Sequence, residues 1–274
     1  MLEKKLATKI MAIINLTPDS FWSGSRAASK NKAVKKALIA IEEGADILDL
    51  GAESSRPGAM YVSEKEEIER LIPVIRALRK KTSIPISVDT RRSSVFEAAF
   101  SEGASMLNDI SALEDDVAMA PLLAKTKLPV VLMHKRGEPK NMQNNTQYAD
   151  VFNEVFLYLQ KRVQYALDAG IKAENIIVDP GIGFGKDVES NMLLVKKAKD
   201  FACILPDKKL QVLIGFSRKT SLGVLTGRPV KERLAASIAV HLLAVQSGAN
   251  ILRVHDVKET IDMLRVLRGF DGSI

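Results

Sequence analysis

Polar residues suited to binding and charge stabilisation close a series of short apolar runs along this chain. Lys9–Ile14 ends at Asn15, Ile47–Leu50 leads on to Glu53 and Arg56, Ile84–Val88 ends at Asp89, and Met106–Leu107 at Asn108. Further on, Val130–Met133 ends at His134, Ile176–Val178 at Asp179, Val212–Phe216 at Ser217–Lys219, and Ile251–Arg253 at His255. A carboxylate such as Asp179 can accept two parallel hydrogen bonds from an amidine-like N–H pair, or it can cap the helix that follows it. Both readings stay open on the residue alone. The amide of Asn108 offers a donor and an acceptor together, which suits ring nitrogens as well as a polar network at a barrel mouth. Arg56, Arg253 and His255 could hold an anion, the arginines as fixed cations and the histidine as a donor that can also be protonated. Arg253 and His255 are two apart on one run and so face the same way. No Ser-His-Asp or Cys-His nucleophile arrangement is in view. The chemistry on offer is therefore positioning and charge stabilisation rather than a covalent enzyme intermediate. The histidines at 134, 241 and 255 lack metal-ligand spacing, and no structural zinc is expected.

Such tips need a scaffold that brings them to one place. The apolar runs read as strands over 9–15, 46–51, 85–89, 105–109, 129–134, 175–179, 210–216 and 250–255. Several are Val/Ile/Leu-rich without strict alternation, as in a parallel sheet covered on both faces. Helical patterns lie between them, near 32–43, 64–81, 92–102, 116–125, 148–169, 188–200, 230–248 and 256–268. Gly44, Gly103, Gly170 and Gly248 stand where C-terminal caps belong. This alternation predicts a (β/α)8 TIM barrel in a single domain spanning 1–274, with its core at about 9–268. The strand-to-helix loops 16–31, 52–63 and 135–147 are long, and they lie on the side where barrel enzymes carry their sites. The helix near 230–248 is apolar over a wide arc. It is either covered by neighbouring helices or placed against a second subunit.

Bulk properties narrow the class. The chain has 274 residues with 46% hydrophobic content, ample for one barrel with a sizeable core. The formal charge of +7 comes with only 5% aromatic residues, which is poor material for stacking nucleic-acid bases. The lysines lie mostly on solvated helix faces, and the remaining excess suits small anionic substrates. No apolar stretch reaches a membrane span, and Met1–Lys5 reads as a short charged lead-in rather than part of a signal peptide. Cys203 is the single cysteine, which excludes an intramolecular disulfide and suits a reducing cytoplasm.

The most specific stretches are Asn15-Leu-Thr-Pro-Asp-Ser-Phe21, Glu53-Ser-Ser-Arg-Pro-Gly58, Ser87-Val-Asp-Thr-Arg91, Asp179-Pro-Gly-Ile-Gly-Phe-Gly-Lys186, Gly215-Phe-Ser-Arg-Lys219 and Leu252-Arg-Val-His-Asp256. In this order they closely resemble the dihydropteroate synthase family of the folate pathway, over about Ile10 to Leu267. The resemblance implies condensation of 6-hydroxymethyl-7,8-dihydropterin pyrophosphate with p-aminobenzoate, giving 7,8-dihydropteroate and pyrophosphate, with pyrophosphate leaving first. It also implies a likeness in roles. Asp89, Asn108, Met133, Asp179, Lys219 and Arg253 would line the pterin pocket. Asn15, Arg56, Arg253 and His255 would hold the pyrophosphate, and Asn15 would be a minor ligand of Mg2+. Phe21, Ser55, Pro57, Phe184 and Thr220 would meet p-aminobenzoate, the last at the start of the helix after Lys219. Arg56, Lys219, Arg253 and His255 are then the residues that carry the reaction, in a cytoplasmic homodimer.

Some residues stay outside that assignment. Asp109 should point to the opposite side of its strand from Asn108. Gly183–Lys186 is not a phosphate loop, since Asp187 stands where Ser or Thr is needed. His134 borders the pterin pocket in the family but receives no catalytic role. Trp22-Ser-Gly-Ser25 and Ser55 depart from the family pattern, which bears on loop geometry rather than on the reaction. Two other readings are a methyltetrahydrofolate:corrinoid methyltransferase-like domain and a non-catalytic pterin-binding homologue. Glu53–Gly58 and Ser217–Lys219 count against the former, and the intact strand tips against the latter.

Overall fold

Eight short parallel strands close into a barrel, each paired with its sequence neighbours and the last with the first. They are β1 (Lys9–Asn15), β2 (Ile47–Gly51), β3 (Ile86–Asp89), β4 (Met106–Asp109), β5 (Val130–Met133), β6 (Ile176–Asp179), β7 (Gln211–Ile214) and β8 (Ile251–Val254). The computed structural model describes residues 8–16, 26–53, 62–138, 141–270 and 272. The helices are α1 (Arg26–Glu42), α2 (Glu64–Arg79), α3 (Ser93–Ser101), α4 (Met119–Thr126), α5 (Val151–Asp168), α6 (Val188–Lys196), α7 (Ala198–Phe201), α8 (Thr220–Thr226), α9 (Leu234–Gln246) and α10 (Val257–Phe270). No described helix is long and apolar enough to cross a membrane.

Strand alternation divides the side chains between two cores. One face of each strand meets the helices in a large cluster that includes Ile10, Leu48, Leu50, Val88, Leu107, Leu132, Val178, Ile214 and Leu252. The other face fills the barrel: Met11, Ile47, Met106, Val131, Ile177, Leu213 and Ile251 form a separate apolar layer. Two residues further along each strand, by the period of the pleat, the same inward face carries Ile13, Asp49, Asp89, Asn108, Met133, Asp179, Gly215 and Arg253. An apolar floor thus supports a polar layer at the ends where the strands stop.

Helix boundaries follow capping chemistry. Ser63, Asp150 and Asp187 accept from the backbone N–H three residues on, at the starts of α2, α5 and α6. These caps place Asp187 as a helix start, in keeping with its unsuitability for a phosphate loop. The four expected glycine caps all take positive φ. Four stretches differ from the sequence pattern. The first helix begins at Arg26 rather than near 32, which shortens the loop expected over 16–31. Thr220–Thr226 forms a short helix, α8, besides the expected eight. The stretch 188–200 breaks at Lys197 into α6 and α7, and 230–248 becomes a 3-10 turn (Val230–Glu232) followed by α9. The break in the second comes at Arg233, whose guanidinium donates to the backbone oxygens of Arg228, Arg218 and Lys219. Binding these carbonyls ties the chain back over α8, so a continuous helix is not formed.

On α9, Ser237, Val240, His241 and Ala244 are buried, whereas Leu243 is exposed. His241 has neither ring nitrogen hydrogen-bonded among the described residues, and burial pulls it from 6.5 down to about 4. Its folded value is depressed, so protons bind the unfolded chain first. The stability contribution is complete above about pH 6.5 and is lost as pH falls toward 4. From these values, lowering pH from 7.5 to 5 should cost about 2 kcal/mol at this one site. His241→Leu should remove that part of the acid sensitivity in urea unfolding at the two pH values, and an unchanged pH dependence would refute it.

Candidate active site

Arg253 organises the polar layer. From β8 its Nε donates to Asp49 of β2 at 2.7 Å, and its Nη2 to Asp89 of β3 at 2.8 Å. Asp49 also accepts from Asn108 Nδ2 of β4 at 3.1 Å, so one carboxylate oxygen joins three strands. Gly215 lies beside Arg253: a Cβ there would make ordinary contact with that of the arginine, at 3.6 Å. Burial works against the guanidinium charge, but Asp49 and Asp89 outweigh it and raise Arg253 above its ordinary value. Burial pushes the Asp89 carboxyl up to about 7 against the opposing pull of Arg253, and the neighbouring charges of Asp49, Glu67 and Asp109 add to it. Asp49 was not singled out in the sequence. Its signal was a carboxylate inside a fully apolar strand, two residues from Ile47 and Gly51 and therefore on their inward face.

Asp179 ends β6 and is buried. Its Oδ1 accepts from the Gly181 N–H at 2.7 Å, while no described donor reaches Oδ2. Burial raises its carboxyl, opposed first by Lys219. Lys219 crosses from the end of β7 over Gly183, where a Cβ would come within 3.0 Å of its Cδ. Its Nζ donates to the Ile182 carbonyl and lies 4.6 Å from the centre of the Phe184 ring. Burial lowers this lysine to about 8, with Asp179 opposing. Phe184 itself packs with Ile110, Met133 and Met142 at the edge of the site.

The turn carrying Lys219 is locked from outside. Arg218 takes a positive φ of 56° and points away, forming a two-point pair with Asp256 at 2.7 and 2.8 Å. Its N–H donates to Ser237 Oγ at 2.9 Å. Ser217 in turn meets the N–H of His255 at 3.2 Å and its Nδ1 at 3.0 Å. Thr220 opens α8 and is exposed.

Asp109 points to the other face of β4, as expected. Its carboxylate accepts from Ser111 N–H, Ser111 Oγ and Leu113 N–H at 2.6–2.8 Å. Asn15 is half-buried at the end of β1, beside Gly51 in register. Phe21, Ser55, Arg56 and Pro57 lie outside the described residues. Among the described residues, no group of three or more His, Cys, Asp or Glu side chains could hold a metal ion.

His134 and Lys186 form a buried contact that the sequence did not reveal. Lys186 Nζ lies 2.9 Å from His134 Nδ1. Burial pushes the lysine well below its ordinary range. It also pulls the histidine down to about 2, helped by Lys186 and Arg136, so the imidazole is neutral.

Barrel, apolar floor and inward polar layer define a (β/α)8 enzyme that holds a small polar molecule at the carboxyl ends of its strands. The chain belongs to the pterin binding enzyme family, which it matches over residues 11–255, and within it to the dihydropteroate synthases. The dihydropteroate synthase of Haemophilus influenzae is 44% identical over 258 residues, covering 94% of this chain and 92% of that relative. The Yersinia pestis enzyme, solved with a sulfonamide drug complex, superposes with a TM-score of 0.90 at 36% identity, covering 97% of this chain and 95% of the other. The Xanthomonas albilineans enzyme, solved with 4-aminobenzoic acid, gives 0.89 at 43% identity, covering 96% and 93%.

Proposed function

We infer that this chain condenses 6-hydroxymethyl-7,8-dihydropterin pyrophosphate with p-aminobenzoate, yielding 7,8-dihydropteroate and pyrophosphate. The observation that carries the reading is the inward layer in which Asp49, Asp89, Asn108 and Arg253 bond to one another beside Asp179 and Lys219. In this reading the Asp179 carboxylate accepts from the 2-amino and N3–H edge of the pterin. Asn108 and Asp89 meet the remaining ring nitrogens, Met133 packs against the ring, and Lys219 donates toward its carbonyl. Arg253, already oriented by two carboxylates, lies by the ring and meets the departing phosphates together with Asn15, Arg56 and His255. Ser217 keeps the His255 ring in place for that contact. Phe21, Ser55, Pro57, Phe184 and Thr220 form the p-aminobenzoate subsite.

The C–O bond to pyrophosphate breaks first, with the electron pair leaving on oxygen, and the resulting cation is delocalised over the pterin. The arylamine nitrogen then forms the new C–N bond and loses a proton. Acceleration comes from holding the two reactants in line and from stabilising the leaving anion. Mg2+ bound with the pyrophosphate would supply further charge neutralisation. Asn15 would offer such an ion one amide oxygen, and the phosphates and water would supply the rest of its hard oxygen ligands. We further propose a cytoplasmic enzyme, in keeping with its exposed free cysteine. It would work as a homodimer associating through α8–α10, where Val224, Leu225, Leu243 and Phe270 are exposed.

The test is pyrophosphate release. Its sustained release should require both substrates and match the 7,8-dihydropteroate formed. Turnover that yields no 7,8-dihydropteroate, or methyl transfer instead, would overturn this function.

A further inference from the structure

The turn from Asp179 to Lys186 has hydrogen bonds of its own: the Gly181 N–H donates to Asp179 Oδ1 at 2.7 Å and the Phe184 N–H to Gly181 O at 3.1 Å. Gly181, Gly183 and Gly185 take φ of +70°, +80° and +67°, and glycine visits either sign of φ at similar cost. Further support comes from Asn191 Oδ1, which accepts from the Gly183 N–H at 2.7 Å, and from donors to the turn's carbonyls. Gly183 O accepts from Gln143 Nε2 at 2.8 Å, and Gly185 O from the Tyr148 hydroxyl at 3.0 Å. Two lysines take the others. Lys219 donates to Ile182 O, while Lys186 donates to Gly181 O at 3.0 Å and Phe184 O at 3.1 Å.

Lys186 rests in turn on His134. As an ammonium it has three N–H groups for the two carbonyls and the imidazole Nδ1. As a neutral amine it gives two N–H groups to the carbonyls and accepts from an Nδ1–H. Either state leaves every partner satisfied. His134 is fixed as well. Its N–H donates to Asp179 O at 3.0 Å, its ring stands edge-on to Tyr158 at 4.9 Å, and its carbonyl passes 1.8 Å from where a Gly181 Cβ would sit.

We propose that Lys186, seated on His134, is a positioning residue for pterin recognition, holding the turn so that Asp179 and Lys219 address the ring together. Lys186 Nζ is taken up by Gly181 O, Phe184 O and His134, so it acts through the turn rather than on a ligand. Without it, Phe184 O loses its described donor, whereas Gly181 O keeps the Phe184 N–H at 3.1 Å. The turn then relaxes beneath Lys219. The Phe184 ring is still held by its apolar cluster and by Lys219, so the p-aminobenzoate side should suffer less.

This inference rests on the function proposed above, and one set of measurements separates the two. Binding of 6-hydroxymethyl-7,8-dihydropterin pyrophosphate with Mg2+ is followed by calorimetry, and KM for p-aminobenzoate by turnover. The proteins are the wild type, Lys186→Met, Lys186→Gln, Lys219→Ala and the Lys186→Met/Lys219→Ala double variant. Lys186→Met should weaken pterin binding about tenfold and raise the p-aminobenzoate KM by about threefold or less. Lys186→Gln, which restores N–H donors, should recover part of the loss and carries the comparison if the methionine variant does not fold. In the Lys219→Ala background the Lys186→Met effect should shrink to about a third or less. Unchanged pterin affinity, equal losses for the two substrates, or additive effects would overturn the inference. A wild-type protein that does not bind the pterin pyrophosphate would instead overturn the function itself.

Discussion

Arg253→Ala should lower kcat/KM by about 100- to 1,000-fold, the loss seen when a preorganised group facing developing charge is removed. It should also destabilise the folded protein. Arg253 is the partner that compensates Asp49, a fully buried carboxylate. Removing one member of a buried pair leaves an uncompensated charge, at a cost of about 3–5 kcal/mol. Asp49 would keep Asn108 at 3.1 Å, a neutral donor that does not replace the cation. Two readouts therefore check one residue: steady-state turnover with both substrates, and denaturant unfolding without them. A double variant, Asp49→Asn with Arg253→Ala, should recover a large part of the stability and none of the activity. Near-normal turnover in Arg253→Ala would remove it from the leaving-group site. Unchanged stability would show that Asp49 does not depend on it.

Asp179→Asn should weaken binding of the pterin substrate by about 100-fold, or roughly 3 kcal/mol, while the fold survives. The amide oxygen can still accept from the Gly181 N–H, as Oδ1 does at 2.7 Å. Its NH2 group, however, would face the N–H edge of the ring, replacing a charge-assisted pair of bonds with donor against donor. Calorimetry with the pterin substrate should report the loss, and the thermal midpoint should remain close to that of the wild type. Retained affinity would refute the assignment of Asp179 to that edge.

The sequence alone determined the order of the eight strands and of the main helices between them, and it determined which side chains end the strands. Both follow from local physics: apolar runs bounded by caps, turns and glycines, and a two-residue alternation that puts Arg253 and His255 on one face and turns Asp109 away from Asn108. Alternation also held the signal for Asp49, two residues from Ile47 and Gly51. What the sequence could not express is which tips touch. Asp49 and Arg253 are 204 residues apart, and His134 and Lys186 are 52 apart. Their contacts depend on barrel closure, on the register between strands and on how far a side chain reaches across the interior. Tertiary structure alone therefore decided that Arg253 arrives already bonded to two carboxylates. It also turned Arg218, next to Lys219, outward to Asp256, and gave Lys186 a place beneath the turn. In each case a hydrogen-bonding group at least partly withdrawn from water needs a partner, and only the folded chain brings one near.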